Sequence, residues 1–274
     1  MSLKGKILIH GRTETGRVRD HNEDAINWDE NIALAILADG MGGHRGGEMA
    51  SAITVSTILE FITKKSKTLN SGEPSEESGY SAESMLVHEA VAEANKNVHE
   101  SSEANAQYRG MGTTVVVLLF YDNRFTVAHV GDSRLYRLRD GELEQITRDH
   151  SLMQELVDRG FYTPEQARNS LNKNLVTRAV GIDSNVKIDI QEDVAMVGDI
   201  YLLCSDGVTD MIEDNLIKSA ILGNADNLDT AAEEIIRLAN QHGGKDNISA
   251  LLAKPIKSFP AKNSLFSRFF DIFS

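Results

Sequence analysis

The spacing of apolar and polar residues divides this chain into strands and helices. Short apolar or alternating runs, bounded by turn residues, predict strands at 5–10, 32–38, 113–120, 125–130, 135–138, 143–147, 186–190, 199–205 and 248–253. Apolar positions that recur every three or four residues predict helices at 48–64, 83–105, 152–159, 213–222 and 228–242. A polar turn is predicted at 11–16 and a surface loop at 65–82. Neighbouring strands joined by short turns indicate hairpins, and therefore antiparallel sheet.

The stretch 32–47 combines a buried strand with an unusual turn. An apolar run, Ile32–Ala38, ends abruptly in Asp39, and five glycines follow within the next eight residues. Three interpretations are open: a solvated strand-to-helix turn, a dinucleotide-binding turn, or a metal site that uses Asp39 and the Gly40 carbonyl. The dinucleotide interpretation is disfavoured because the glycine spacing is one residue too long and Asp39 would repel phosphates. This stretch alone does not decide among the three.

Carboxylates stand at strand ends or glycine-bearing turns in several other places. The full set is Glu23 with Asp24, Asp39, Asp132, Asp206 and Asp246. If the fold brings them together, they cannot all stay ionised without cations between them. Oxygen ligands select hard ions such as magnesium, manganese or calcium, and the sequence offers no cysteine–histidine set for zinc. Two such ions could activate a water for attack on a phosphate held by an arginine such as Arg19.

Composition narrows the classes of protein and partner. The 274 residues are 41% apolar, which is enough for one sizeable core in a single domain. A net charge of −13 and a pI of about 5.1 disfavour a nucleic-acid partner. Cys204 is the only cysteine, so we expect no intrachain disulfide and a reducing cytoplasmic location. Because Cys204 ends an apolar strand, we expect it to have a packing role. We expect no cleaved signal and no bilayer-spanning segment.

Eight short motifs occur in order within residues 8–254. They are Arg19-x-x-Asn22-Glu23-Asp24, Ala38-Asp39-Gly40-Met41-Gly42-Gly43-His44, Gly112-Thr113-Thr114, Val130-Gly131-Asp132-Ser133-Arg134, Asp149-His150-Ser151, Thr177-Arg178-Ala179-Val180-Gly181, Ser205-Asp206-Gly207 and Gly243-Gly244-Lys245-Asp246-Asn247. In these motifs the chain resembles the metal-dependent protein phosphatases of type 2C, specifically their compact bacterial members. One such motif is weak evidence, whereas eight in order are very specific.

The resemblance implies an α+β fold, a four-layer α-β-β-α sandwich in which helices flank two central antiparallel sheets. It implies a catalytic domain over 1–257, with a flap at about 148–178, and leaves 258–274 as a tail. The implied activity is hydrolysis of phosphoserine and phosphothreonine in proteins by direct attack of a metal-bridging hydroxide, which would oppose bacterial serine/threonine kinases. The implied cofactors are Mn²⁺ or Mg²⁺, two in the site with a third at a weaker position. The expected partners are phosphorylated proteins and a serine/threonine kinase of the same pathway. The protein itself is expected to be a monomer.

The resemblance also implies a role for each residue of the site. Asp39 would bridge two metals, and the Gly40 carbonyl would bind one of them. Asp206 and Asp246 would bind the first metal, Glu23 would bind the second through water, and Asp132 would join Asp206 at a third. Asp24 would orient metal-bound waters, Arg19 would hold the substrate phosphate, and Asn247 would support Asp246. Arg19, Asp24 and Asp39 are therefore the expected catalytic residues.

Two functional assignments stay open. A catalytically inactive relative that docks phosphoproteins is the alternative to an enzyme, and the joint presence of Asp39, Asp206 and Asp246 argues against it. Met41 stands where many eukaryotic members of the family carry a histidine general acid, so that role is not transferred. His44 is the nearest titratable group in sequence. His44 would either protonate the leaving group or only shape the glycine-rich turn. In the second case a metal-bound water would donate the proton to the leaving group.

The tail, 258–274, is basic and amphipathic on an acidic protein. One helical face carries Leu265, Phe266, Phe269, Phe270 and Phe273, and the nearby cations are Lys257, Lys262 and Arg268. The tail would form a helix docked on its own domain, or it would contact a partner or a membrane surface.

Overall fold

The chain folds into two antiparallel sheets that pack face to face. The computed structural model describes residues 3–42, 45–67, 69, 79–168, 170 and 175–261. The strands are β1 (Ile7–Glu14), β2 (Asp24–Asp29), β3 (Leu34–Met41), β4 (Gly112–Thr113), β5 (Val115–Tyr121), β6 (Arg124–Val130), β7 (Arg134–Arg139), β8 (Glu142–Gln145), β9 (Asp189–Val194), β10 (Ile200–Cys204) and β11 (Ile248–Pro255). One sheet has the order β1-β11-β10-β7-β8, and the other has the order β2-β3-β5-β6-β9, with β4 paired to β3.

Helices cover the outer face of each sheet. The helices of the structure are α1 (Arg45–Lys65), α2 (Ala82–Ala104), α3 (Leu152–Asp158), α4 (Pro164–Arg168), α5 (Asp206–Thr209), α6 (Asp214–Gly223) and α7 (Leu228–Gln241). The pair α1 and α2 packs on the sheet that contains β3, and the pair α6 and α7 packs on the sheet that contains β11. Among the helices that the structure describes, none has the length and apolarity that crossing a membrane requires.

The two-residue period of the strands explains the layers. Leu34 and Ile36 of β3 pack beneath α1 and α2, whereas Ala35 and Leu37 point into the space between the sheets. The same alternation on β10 places Cys204 beneath α6 and α7, where its free thiol is fully buried. The predicted α-β-β-α sandwich and the packing role of Cys204 are therefore confirmed.

Aromatic rings fill the centre of the space between the sheets. Tyr201 meets Phe120 and Phe125 edge to face, with ring centroids 5.2 Å and 5.0 Å apart. Phe259 packs on Phe120 at 6.1 Å and is 2% exposed, and its amide donates a hydrogen bond to the Asn123 side chain. The domain core therefore extends beyond residue 257, and residues 262–274 of the tail lie outside the described residues.

The predicted elements differ clearly from the observed ones at 11–16 and at 186–190. The turn predicted at 11–16 is strand as far as Glu14, because this segment pairs residue by residue with β11. Its polar Arg12 is satisfied by two hydrogen bonds to Asp229 on α7, at 2.9 Å and 2.8 Å. The strand predicted at 186–190 runs instead from Asp189 to Val194, where it pairs with β6 as an edge strand of polar composition.

Leu203→Ala should lower the free energy of unfolding by about 2–5 kcal/mol, because this fully buried leucine fills the space between the sheets and its truncation leaves a cavity. Urea denaturation measures the change. Leu222→Ala is the matched control, since Leu222 is 48% exposed and its truncation should cost less than about 0.5 kcal/mol. Equal losses in the two variants would contradict the assigned core.

Candidate metal centre

Asp24 and Asp39 lie opposite each other on β2 and β3. Their carboxylates lie close enough to act on each other's pKa. The Asp39 backbone is held by three hydrogen bonds: its carbonyl accepts from the Thr114 amide and the Thr113 hydroxyl, both at 2.8 Å, and its amide donates to the Thr114 hydroxyl at 3.1 Å. Asp39 is therefore a rigidly placed carboxylate, although it lies within β3 rather than beyond its end.

Two serines connect Asp24 to the other sheet. The hydroxyls of Ser205 and Ser249 both donate to Asp24 Oδ2, at 2.9 Å and 2.6 Å. Ser205 follows β10 and precedes Asp206, the first residue of α5, while Ser249 lies in β11 just after Asp246. The hydrogen bonds to Asp24 thus bring the acids of the second sheet to the acids of the first.

Electrostatics shows that the scattered acids converge. Burial raises the pKa of Asp39 well above its usual value, and the negative charges of Asp24, Asp206, Asp132 and Asp246 raise it further. Burial also raises the pKa of Asp206 well above its usual value, with further repulsion from Asp132, Asp246, Asp210 and Asp24. Such mutual repulsion requires proximity, so the structure brings these sequence-distant carboxylates into one cluster.

One oxygen of Asp24 is left without a partner. Burial raises the pKa of Asp24 to about 6, although the hydrogen bonds from Ser249 and Ser205 act in the opposite direction. Within the described part of the chain, Asp24 Oδ1 is buried and receives no hydrogen bond. A buried carboxylate oxygen is costly to leave in this state, so a cation or a cation-bound water fits here.

Glu23 reaches the cluster because two glycines let it approach. A Cβ on Gly40 would lie 2.6 Å from the Glu23 carbonyl and would also clash with the Gly47 carbonyl. A Cβ on Gly47, in the first turn of α1, would collide with the Glu23 carboxylate. Only glycine therefore permits this contact between the end of β3, the start of α1 and Glu23.

Asn247 ties the Glu23 loop to Asp246. Its side-chain oxygen accepts from the Glu23 amide at 2.8 Å, and its own amide donates to Asp246 Oδ1 at 2.9 Å. Its side-chain nitrogen donates to the carbonyls of Thr15 and His21, at 3.0 Å and 2.8 Å. These contacts hold Asp246 and the Glu23 loop together, and the supporting role of Asn247 stays a prediction.

Arg19 supplies a cation at the open side of the cluster. Its Nη2 donates to Asp246 Oδ2 at 2.7 Å, and its side chain is 54% exposed. The hydrogen bond to Asp246 raises the pKa of Arg19, so the guanidinium is charged throughout the working range of pH. A phosphate that arrives from solvent can therefore meet a fixed positive charge beside the acids.

Asp132 lies in the turn between β6 and β7, at the edge of the cluster. Burial, followed by the charge of Asp149, raises the pKa of Asp132 to about 6. The neighbouring Ser133 hydroxyl is 2.7 Å from the Thr114 hydroxyl, which also binds the Asp39 amide. The turn that carries Asp132 is therefore connected to the strand that carries Asp39.

The donor set fits hard divalent cations. All the acids offer oxygen, the ligand type of magnesium, manganese and calcium. Within the described ranges, the one group of three histidine or acidic side chains whose ligand atoms lie within 4.8 Å of one another is His129, His150 and Asp189, outside this cluster.

Sequence reasoning missed the hydroxyl groups of the site. Ser205, Ser249 and Thr114 hold Asp24 and Asp39, yet none was predicted as a site residue. A polar residue within an apolar strand, such as Ser249, was the available signal. His44, the predicted candidate for the general acid, lies outside the described residues.

Known proteins match this chain over most of its length. A family model described as protein phosphatase 2C matches residues 13–253. The serine/threonine phosphatase stp of Listeria monocytogenes serotype 4b is 37% identical over 246 residues, which cover 89% of this chain and 94% of that protein.

Solved structures agree with the sequence comparison. The Mycobacterium tuberculosis serine/threonine phosphatase PstP/Ppp has a TM-score of 0.79 at 35% identity, covering 90% of this chain and 98% of that one. A catalytic domain of PstP in complex with two manganese ions has a TM-score of 0.76 at 35% identity, covering 92% of this chain and 99% of that one. The fold and the motifs thus lead to one conclusion: the chain belongs to the protein phosphatase 2C family.

Proposed function

We propose that this chain is a protein phosphatase that hydrolyses phosphoserine and phosphothreonine with divalent cations. The observation that carries the proposal is the convergence of Asp24, Asp39, Asp206 and Asp246 beside the exposed guanidinium of Arg19. The family match supports it, as does the relative that binds two manganese ions. The substrates are phosphorylated proteins, as the names of the relatives suggest.

The acids divide into three cation positions. Asp39 would serve two of them together with the Gly40 carbonyl, and the adjacent Asp206 and Asp246 would complete the first. Glu23 would serve the second through water. Asp132, whose charge acts on Asp206, would join it at a weaker third position. Either Mn²⁺ or Mg²⁺ suits this oxygen-only set.

Bound cations would lower the pKa of a water enough for it to attack phosphorus directly, without a covalent phosphoenzyme. The protein orients the reactants. Arg19 would bind the non-bridging phosphate oxygens, because its planar fork matches them in geometry and in charge. Asp24 would accept a hydrogen bond from a water at its unpartnered Oδ1.

A cysteine nucleophile is incompatible with the structure. Burial raises the pKa of Cys204 to about 12, so the thiol is neutral and unreactive at physiological pH. The side chain also lies in the packing beneath α6 and α7. Hydrolysis through a cation-activated water is therefore the mechanism that these residues support.

Several partner and location assignments stay predictions. They are a serine/threonine kinase of the same pathway, a cytoplasmic location, a monomeric state, the absence of a nucleic-acid partner, and contact of the tail with a partner or a membrane surface. The division into a catalytic domain and a tail also stays a proposal, with the boundary moved beyond Phe259 because that ring belongs to the core. His44 stays a candidate for the proton donor to the leaving group.

Phosphate release from a phosphothreonine peptide should stop in chelator and return with Mn²⁺ better than with Ca²⁺, because Ca²⁺ prefers a looser coordination of higher number. Malachite green detection of free phosphate measures the rate. Peptide binding without phosphate release in Mn²⁺ would instead identify an inactive docking module. Full turnover in chelator would contradict the cation mechanism.

Asp39→Asn should abolish this turnover and the rise in thermal unfolding temperature on addition of Mn²⁺, because one carboxylate serves two cations. Asp140→Asn, the same chemical change in an exposed turn, is the matched control and should behave like the wild type. A Mn²⁺-induced shift that is equal in the two variants would place the cations elsewhere.

Arg19→Ala should lower kcat/KM for p-nitrophenyl phosphate about 100-fold, the usual effect of losing one preorganised donor to a developing charge. Arg19→Lys should recover only part of the loss, because an ammonium lacks the planar fork. Arg237→Ala, which removes an exposed arginine on α7, is the control. Steady-state kinetics at saturating Mn²⁺ measures all three, and near-normal turnover of Arg19→Ala would exclude it from phosphate binding.

A further inference from the structure

His150 and Gly131 are joined by two hydrogen bonds. The His150 amide donates to the Gly131 carbonyl at 2.9 Å, and the Gly131 amide donates to His150 Nδ1 at 3.1 Å. Gly131 immediately precedes Asp132, the acid at the edge of the metal centre. His150 lies at the beginning of the flap, 148–178. One residue of the flap therefore binds the backbone of the turn that carries Asp132.

The His150 ring is fixed on its other sides as well. It is 5% exposed and stacks on the His129 ring, with centroids 4.6 Å apart and planes 21° from parallel. Nδ1 accepts from the Gly131 amide, which in a neutral ring leaves the proton on Nε2. This Nε2 lies 3.2 Å from Asp189 Oδ2 and 3.1 Å from Arg178 Nη1. Burial lowers the pKa of His150 to about 4, so the ring is neutral at physiological pH.

The hydrogen bonds argue against a metal at His129, His150 and Asp189. A histidine binds a metal through a nitrogen lone pair, whereas His150 Nε2 carries the proton and Nδ1 is occupied by Gly131. The charge of Asp189 is already balanced, since Arg178 Nη1 lies 3.0 Å from its Oδ1. The cluster is therefore a packed set of hydrogen bonds and not a cation site.

Both ends of the flap meet at this point. Thr177, near its end, donates its amide to the His150 carbonyl at 2.7 Å. Asp149, near its beginning, accepts three hydrogen bonds from Arg134, at 2.9 Å, 3.1 Å and 2.7 Å. Arg134 lies two residues after Asp132, so the flap base holds the Asp132 turn from both sides.

The turn itself needs such support. Gly131 has a φ of 103°, in the region that side chains other than glycine rarely adopt, and a Cβ there would lie 2.6 Å from Thr114 side-chain atoms. This backbone conformation sets the position from which the Asp132 side chain leaves the chain. The two hydrogen bonds to His150 are the contacts that fix the carbonyl and the amide of Gly131.

We propose that His150 is a positioning residue for the weak cation site: through Gly131 it holds the Asp132 carboxylate in place and joins it to the flap. This inference rests on the proposed function, because it takes Asp132 as a cation ligand. His150 does not touch the cation or the substrate phosphate in this role. It acts only through the backbone of the Gly131 turn.

Two substitutions separate the hydrogen bond from the packing. His150→Asn places an oxygen near the position of Nδ1, so it keeps an acceptor for the Gly131 amide and loses the contact with Asp189. His150→Gln places its amide near the position of Nε2, so it keeps the Asp189 contact and loses the Gly131 acceptor. Thermal unfolding of the metal-free chains checks that each variant is folded.

Titration of the full-length chain with Mn²⁺ alone, followed by the electron paramagnetic resonance signal of free Mn²⁺, tests the proposal. His150→Gln should bind the weakest Mn²⁺ about fivefold less tightly, the effect of losing about one net hydrogen bond. His150→Asn should stay within about twofold of the wild type. The tighter sites should be unchanged in both variants, and Asp132→Ala should lose the weakest site.

Each other outcome has a distinct meaning. If His150→Gln bound Mn²⁺ like the wild type while Asp132→Ala lost the weak site, the role of His150 would be overturned and the role of Asp132 as a ligand would stand. Equal weakening of the weakest Mn²⁺ site in the two His150 variants would mean that the ring acts only by packing. If His150→Gln did not fold, weakened Mn²⁺ binding by a folded His150→Asn would still contradict the proposal. Retention of every site by Asp132→Ala would show that Asp132 is not a ligand, which refutes the third cation position of the proposed function.

Discussion

The repulsion among buried carboxylates is the constraint on which this structure depends. The buried carboxylates of Asp24 and Asp39 lie on paired positions of neighbouring strands, and each acts on the pKa of the other. Ser205 and Ser249 stabilise one oxygen of Asp24 and leave the other without a donor in the described chain. The two sheets therefore hold negative charges together that would separate in a flexible chain. Divalent cations would relieve this repulsion, and the same repulsion would make the site selective for them.

The sandwich provides the rigidity that such a site needs. The acids sit on or beside β2, β3, β10 and β11, strands whose side chains fill the core between the sheets. Glycines allow the remaining parts to come close, since Gly40 and Gly47 admit Glu23 to the cluster. The flap base adds Asp132 through the Gly131 turn. Rigid strands thus carry the central acids, while the edge acid depends on a loop contact.

The residue pattern was sufficient for most strands and helices, whereas the four layers and the set of site acids followed only from the family resemblance. Apolar alternation predicted most strands, and the motifs predicted which carboxylates belong together. Convergence itself could be predicted only through the family resemblance, because no local spacing connects Asp24 with Asp206. The serines that bind Asp24 were missed because a lone polar residue in a strand has no distinctive pattern. The polar end of β1 was predicted as a turn, because its pairing with β11 is invisible to local propensity.

Anomalous diffraction from crystals grown with Mn²⁺ would test the convergence of the acids around cations most directly. Two strong peaks are expected beside Asp39, at about 2.0–2.6 Å from carboxylate oxygens, with Asp206 and Asp246 on one of them. The unpartnered Oδ1 of Asp24 should face a water on these ions. Crystals with Mn²⁺ bound elsewhere, and no peak in contact with Asp39, would contradict the assignment of the metal centre.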